Sequence, residues 1–147
     1  MKKGFFIILV SLAGAMAANA QAIVEWKFSA VKTGKNKATL SYTATIDPGW
    51  HLYSIHQGEG GPVPTTFTLE PSGKYELTGK VVEPAPIREI NTLFMMEVGY
   101  FEKEVTFTQT IKLKARQATI KGTVNFMACN EMQCIPPITT PFVITIK

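Results

Sequence analysis

Little in this chain could bind nucleic acid, span a membrane or knit a fold together covalently. It has no basic cluster and no run of like charge, which argues against nucleic acid and acidic membrane surfaces as partners. The formal net charge of +4 overstates the basic character. Lys2 and Lys3 belong to an N-terminal export signal; without them the 15 basic residues fall to 13, against 11 acidic ones, a net of +2. No internal repeat, low-complexity tract or linker interrupts the sequence, so one domain is the economical reading. Beyond the export signal no stretch has convincing helical periodicity, and no transmembrane segment is expected. Cysteine is scarce, at two residues. The chain without its export signal is still of ordinary single-domain size. It can bury a core without disulfides or metal, so neither cysteine is required for folding.

The long apolar run is N-terminal. Lys2-Lys3 precedes apolar residues from Phe5 to Ala18, and Ala18-Asn19-Ala20 supplies the small residues of a cleavage site. This pattern predicts a secretory signal peptide over 1–20 and a mature domain over 21–147 that begins at Gln21. The run is too short to span a bilayer comfortably and ends in a cleavage motif, not a stop-transfer sequence, which disfavours an anchor. No cysteine stands near the cleavage site to accept a lipid. The mature protein is expected to be soluble and exported, in a compartment where disulfides persist.

What remains alternates between period-2 stretches and turn signals. Val24, Trp26 and Phe28 share one face of a first strand. Ala38, Leu40, Tyr42, Ala44 and Ile46 alternate with Thr39, Ser41, Thr43 and Thr45, and Asp47-Pro48-Gly49 turns that strand. Phe67 and Leu69 mark another, Tyr75 to Val82 a fourth, and Val105, Phe107, Ile111 and Leu113 line a long one. Ile120, Val124 and Phe126 lead up to Cys129, and Phe142, Ile144 and Ile146 form the closing strand. The even spacing of strands and turns predicts an all-β antiparallel sandwich. Two segments break the alternation. Trp50 to Pro62 begins with aromatics and dissolves into glycine, which reads as a strand end followed by a flexible connection. Pro84 to Glu97 reads as a long connection whose large apolar residues either fold back over the core or cover something reactive.

Both cysteines fall within Phe126-Met127-Ala128-Cys129-Asn130-Glu131-Met132-Gln133-Cys134-Ile135-Pro136-Pro137. Such a pair can be a staple, a set of metal ligands or a working redox couple. A Cys129–Cys134 bridge closes a very short ring, worth about 2 kcal/mol in the chain-entropy model against roughly 4 kcal/mol for a long inter-sheet bridge. As a staple it is poor. Pro136 and Pro137 donate no backbone hydrogen bonds, so strand pairing is expected to stop there and leave the pair at an edge. The Cys-x4-Cys spacing, with His51 and His56, would complete a zinc count, and Met95, Met96, Met127 and Met132 suit copper(I) by softness. Against metal, the histidines are remote from the cysteines in sequence, His51 sits between aromatics, and methionines beside thiols more often pack than coordinate. No cofactor is expected. A further reading is an exported sandwich module that binds another protein and keeps an inert disulfide.

Trp50-His51-Leu52-Tyr53-Ser54, the Gly61-Pro62 turn with Pro64-Thr65 after it, Phe94 followed by Tyr100-Phe101, and the Cys-x4-Cys-x-Pro-Pro ending together resemble the periplasmic N-terminal domain of DsbD, the thiol:disulfide interchange protein. The resemblance runs from about the mature N-terminus to Lys147. It implies an immunoglobulin-like antiparallel β-sandwich in the periplasm. It also implies that Cys129 and Cys134 accept electrons from a thioredoxin-like protein or domain and pass them to periplasmic disulfide proteins. By the same resemblance Cys134 exchanges with partners, Cys129 resolves, and a cap loop of Leu93, Phe94 and Met95 covers the pair with the Phe94 ring. Glu97-Val98-Gly99 could give that loop a place to bend. The sequence departs from the family in two respects. Membrane reductases of this type continue into a transmembrane and a thioredoxin-like domain, so here the expected electron donor is a separate membrane protein. Thr92 and Leu93 stand where some relatives carry acidic side chains, which removes the basis for expecting carboxylate control of the thiols.

Overall fold

In the computed structural model, which describes residues 22–147, the period-2 stretches become strands; the expected signal peptide lies outside the described residues. β1 (Val24–Gly34) pairs antiparallel with β2 (Lys37–Ile46), placing Trp26 opposite Ala44 and Phe28 opposite Tyr42. β2 ends in the expected turn, where Trp50 N donates to Asp47 O at 3.1 Å and Gly49 takes φ of 82°, a left-handed angle that costs glycine nothing. There follow β3 (His51–Tyr53), β4 (Thr66–Leu69), β5 (Tyr75–Leu77), β6 (Ile87–Asn91) and β7 (Met96–Phe101). β8 (Glu104–Leu113), β9 (Ala118–Phe126), β10 (Ala128–Cys129) and β11 (Ile138–Ile146) complete the chain. Among the described residues there is no helix, hence none long and apolar enough to cross a membrane.

Two sheets, ordered β1-β2-β8-β5 and β11-β9-β4, enclose the main core, and a third is ordered β10-β3-β7-β6. Alternate residues of the long strands fill that core, among them Leu40 and Tyr42 of β2, Phe107 and Ile111 of β8, Ile120 and Val124 of β9, and Phe142 and Ile144 of β11. Phe107 is fully buried, with Trp26, Phe67 and Phe101 around it at ring-centroid spacings of 6.1, 5.2 and 5.7 Å. Gln109 interrupts the apolar face of β8 without leaving a polar group unpaired. Its Oε1 accepts from the Tyr42 hydroxyl at 2.9 Å and its Nε2 donates to Gly79 O at 3.4 Å.

The third sheet is built beyond bends in the long strands. β7 passes into β8 through Glu102 and Lys103, and β9 passes into β10 through Met127. Lys103 takes φ of 64°, uncommon outside glycine, and its carbonyl accepts from Ile46 N at 2.8 Å, tying the bend to the end of β2. Period-2 alternation then sorts the side chains of this sheet. Leu52, Phe101 and Ala128 stand in one cross-strand row and belong to the main core. Their neighbours Tyr53, Tyr100 and Cys129 fall on the other face, in a second cluster with Val98 and Met127.

Two expectations need correction. Pro84 to Glu97 is not a connection: Ile87–Asn91 pairs with Met96–Phe101 as a hairpin, with Asn91 opposite Met96 and Arg88 opposite Gly99. β6 is an edge strand with its first four residues exposed, so no buried face imprints a period on its sequence. Tyr75 to Val82 is not one strand either. Its pairing ends at Leu77 and resumes only as a bridge between Val82 and Thr108; both Leu77 and Val82 are exposed, so burial does not hold the intervening residues in register.

Candidate functional site

Cys129 ends β10 opposite His51, and the chain reverses over Asn130–Gln133 so that Cys134 returns opposite Cys129. The two cysteines are disulfide-bonded, with their Cα atoms 4.0 Å apart. Backbone hydrogen bonds flank them on both sides: Asn130 N donates to Gln133 O and Ile135 N to Ala128 O, each at 2.9 Å. The cysteines therefore occupy a non-hydrogen-bonded pair, the position in an antiparallel ladder where facing side chains come closest. Asn130 Oδ1 accepts from Met132 N at 2.9 Å and Gln133 N at 2.8 Å, which folds the tip into an Asx turn. Strand pairing stops at Pro136-Pro137, as expected, and resumes at Ile138 on β9.

The outward face of the third sheet forms the floor of an open cleft of about 790 Å³, walled by the β6–β7 hairpin and by the Asn130–Gln133 turn. Cys129 is buried, at 4% exposure, and Cys134 is half-buried; both line the cleft. His51 stacks on Tyr100 with ring centroids 4.0 Å apart, and its Nε2 lies 2.9 Å from Glu102 Oε1. Glu89, Glu102 and Glu131 also line the cleft, and among the described residues no lysine or arginine does. Burial pushes the Tyr100 phenol up to about 12, reinforced by the charge of Glu89 and a hydrogen bond to it, and then by Glu102 and Tyr53.

Phe94 stands at the tip of the β6–β7 hairpin. Asn91 Oδ1 accepts from Leu93 N at 2.9 Å and Phe94 N at 3.2 Å, and Met95 takes φ of 56° as the chain turns back. The Phe94 ring meets Tyr53 edge-on at 6.2 Å and, with Met96 and Cys134, packs against the cluster that contains Cys129. Phe94 is not among the residues that line the cleft, and its two companions in the expected cap differ from each other. Leu93 lines the cleft but is 71% exposed, while Met95 is 82% exposed and lies outside the cleft lining. Glu97-Val98-Gly99 is a paired part of β7 with Val98 and Gly99 buried, so the left-handed residue that reverses the chain is Met95. Of the other methionines near the thiols, Met127 is buried and Met96 packs against the same cluster, whereas Met132 is 93% exposed. His56 is not part of the cleft, and among the described residues no three side chains of His, Cys, Asp or Glu are grouped to hold a metal ion.

A family model described as the N-terminal part of the thiol:disulfide interchange protein DsbD matches residues 19–145. The chain belongs to the DsbD N-terminal family. Among solved structures it is similar to the N-terminal periplasmic domain of ScsB from Proteus mirabilis, at 18% identity and a TM-score of 0.56 over 84% of this chain and 44% of that one. This chain thus spans less than half of that ScsB chain. It is similar to the DsbD N-terminal domain of Neisseria meningitidis in the reduced form, at 15% identity and a TM-score of 0.54 over 82% of this chain and 84% of that one. A chain from the complex between the DsbD N-terminal and PilB N-terminal domains of the same organism gives 13% identity and a TM-score of 0.53, over 82% and 80%. No match was found among curated proteins. The sandwich is accordingly immunoglobulin-like. Family and bonded cysteine pair together make this a thiol–disulfide exchange domain.

Sequence reasoning missed the carboxylates of this cleft. They come not from the residues before Phe94 but from β6 (Glu89), from the bend after β7 (Glu102) and from the cysteine turn (Glu131). Only Glu102 had a signal, since it continues the period-2 face of Tyr100. The aromatic wall yields a pH prediction. All four tyrosines are held above their ordinary value, each chiefly by burial. A phenol raised on folding contributes its full stability below an unfolded value of about 10 and loses it as pH climbs through the folded value. Stability should therefore fall between about pH 10 and the Tyr100 value of about 12. Near-ultraviolet absorbance followed with circular dichroism checks this: tyrosinate should appear with unfolding, and a tyrosinate step near pH 10 in the folded protein would contradict it.

Proposed function

We propose that this domain is a periplasmic electron carrier. In this reading a signal peptide over 1–20 exports the chain. Cys129 and Cys134 then accept electrons from a thioredoxin-like protein or domain, itself supplied by a separate membrane donor, and pass them to periplasmic disulfide proteins. The observation that carries the reading is the disulfide itself: it lies on the outward face of the third sheet, away from the main core, with one sulfur-bearing residue half-buried in a cleft and Phe94 packed against the cluster that holds Cys129. A complex containing a DsbD N-terminal domain supports docking of a second domain on such a fold.

The exchange runs as follows. A donor thiolate attacks the Cys134 sulfur, the Cys129–Cys134 bond breaks, and Cys129 leaves with the electron pair and takes up a proton. The donor's second thiol then releases Cys134, so the donor ends as a disulfide and this chain as a dithiol. On the outward step Cys134 attacks the acceptor disulfide and Cys129 resolves the mixed disulfide, restoring the bridge. Phe94 shields the pair between encounters, and the carboxylates lining the cleft repel anionic thiolates that approach without a matching surface. Treatment with a mild reductant, thiol counting by mass and denaturant unfolding test this together. Two thiols should appear on a folded protein, at a stability cost of about 2 kcal/mol for the short ring. A bond that resists reduction until the fold is lost would favour the binding module with an inert disulfide, and release of an ion would favour a metal site.

A further inference from the structure

We propose that Asn130 sets the reduction potential of the cysteine pair by holding the two thiols together while the bond between them is open. The inference rests on the exchange reading above. Once Cys129 and Cys134 are reduced, their proximity depends on the hairpin alone, because they are its facing non-hydrogen-bonded pair. The tip of that hairpin has no packing of its own: Glu131, Met132 and Gln133 are exposed, Met132 at 93%. What orders it is the single side-chain oxygen of Asn130, which accepts from Met132 N and Gln133 N together. Ahead of it, the bond from Asn130 N to Gln133 O closes the ring next to the cysteines. Removing Oδ1 leaves two amides without their acceptor and lets the tip open, which lowers the effective concentration of one thiol at the other. The bridge is then easier to reduce and slower to re-form. Asn130 supplies no reacting atom and acts through the hairpin, so it is a positioning residue.

Equilibration of the mature protein with glutathione redox buffers at neutral pH, acid quenching and thiol counting read this directly. The reaction converts two glutathione thiols to glutathione disulfide as the Cys129–Cys134 bond takes up two electrons and two protons. Asn130→Ala should lower the equilibrium preference for the bridge about tenfold, a rise of about 30 mV in potential for a two-electron couple. Asn130→Asp keeps an oxygen acceptor at the same place and should stay close to the parent, and Asn130→Ser, whose hydroxyl makes a weaker turn of the same type, should fall between them. A folded Asn130→Ala that coincides with the parent, or an Asn130→Asp shifted as far as the alanine variant, would overturn the role of Asn130 and leave the exchange reading standing. A folded parent protein whose bridge resists even an excess of a small uncharged dithiol would overturn both.

Discussion

Cys129→Ala is expected to accumulate a mixed disulfide with a thioredoxin-like partner, and Cys134→Ala to trap almost none. The asymmetry follows from where the hairpin puts each sulfur. Cys129 ends a strand paired with His51, is 4% exposed and belongs to the second cluster with Tyr53, Val98, Tyr100 and Met127. Cys134 lies beyond the turn, half-buried, on the cleft. On the proposed roles a partner thiolate or disulfide reaches Cys134 first, and without Cys129 nothing within this chain can release the adduct. Non-reducing electrophoresis followed by mass analysis of the adduct decides it. Equal trapping by both variants would overturn the assignment of roles, and trapping by neither would favour an inert bridge.

Phe94→Ala should speed alkylation of the reduced cysteines while costing little stability. Loss of a fully buried phenylalanine typically costs about 3–5 kcal/mol, and Phe107, with no exposure and three aromatic rings around it, is the internal standard for that figure. Phe94 is different. It sits on a four-residue hairpin tip between exposed Leu93 and Met95 and is only partly buried against Tyr53 and the cysteine cluster. Its removal should cost less than about 2 kcal/mol, because there is less buried surface to lose. Under the proposed cap role the same change uncovers the sulfurs, so reaction with a small alkylating agent should accelerate about tenfold, on the order of the 1.4 kcal/mol that such a ratio represents. Unfolding midpoint and alkylation rate measured on one preparation separate the readings. A loss as large as that of Phe107→Ala, with unchanged thiol reactivity of the folded protein, would make Phe94 a core residue and not a cap.

The fold was legible wherever one face of a strand is buried and the other is not. β2 and β8 repeat buried and less buried residues along most of their length, and their sequences carry that alternation openly. It was illegible where burial does not select. β6 is an edge strand, exposed over most of its length, so the hairpin with β7 looked like a loop. At the site, the spacing of Cys129 and Cys134 marked a short ring, and the prolines marked the end of pairing. The face on which the sulfurs stand depends instead on β10 pairing with β3, a contact between residues 51–52 and 128–129 that no local pattern encodes. The same holds for Glu89, Glu102 and Glu131, which three separate elements bring to one cleft. Phe94 was found through family resemblance, and its packing against the cluster of Tyr53 and Cys129 is a tertiary fact.

The most direct test is electron transfer itself. Oxidised protein mixed with a reduced thioredoxin-like domain from the same compartment, quenched in acid and resolved by mass, should show two new thiols on this chain for each disulfide formed on the donor, with its circular dichroism unchanged. A donor that stays reduced beside a folded protein whose Cys129–Cys134 bond is intact would contradict the account.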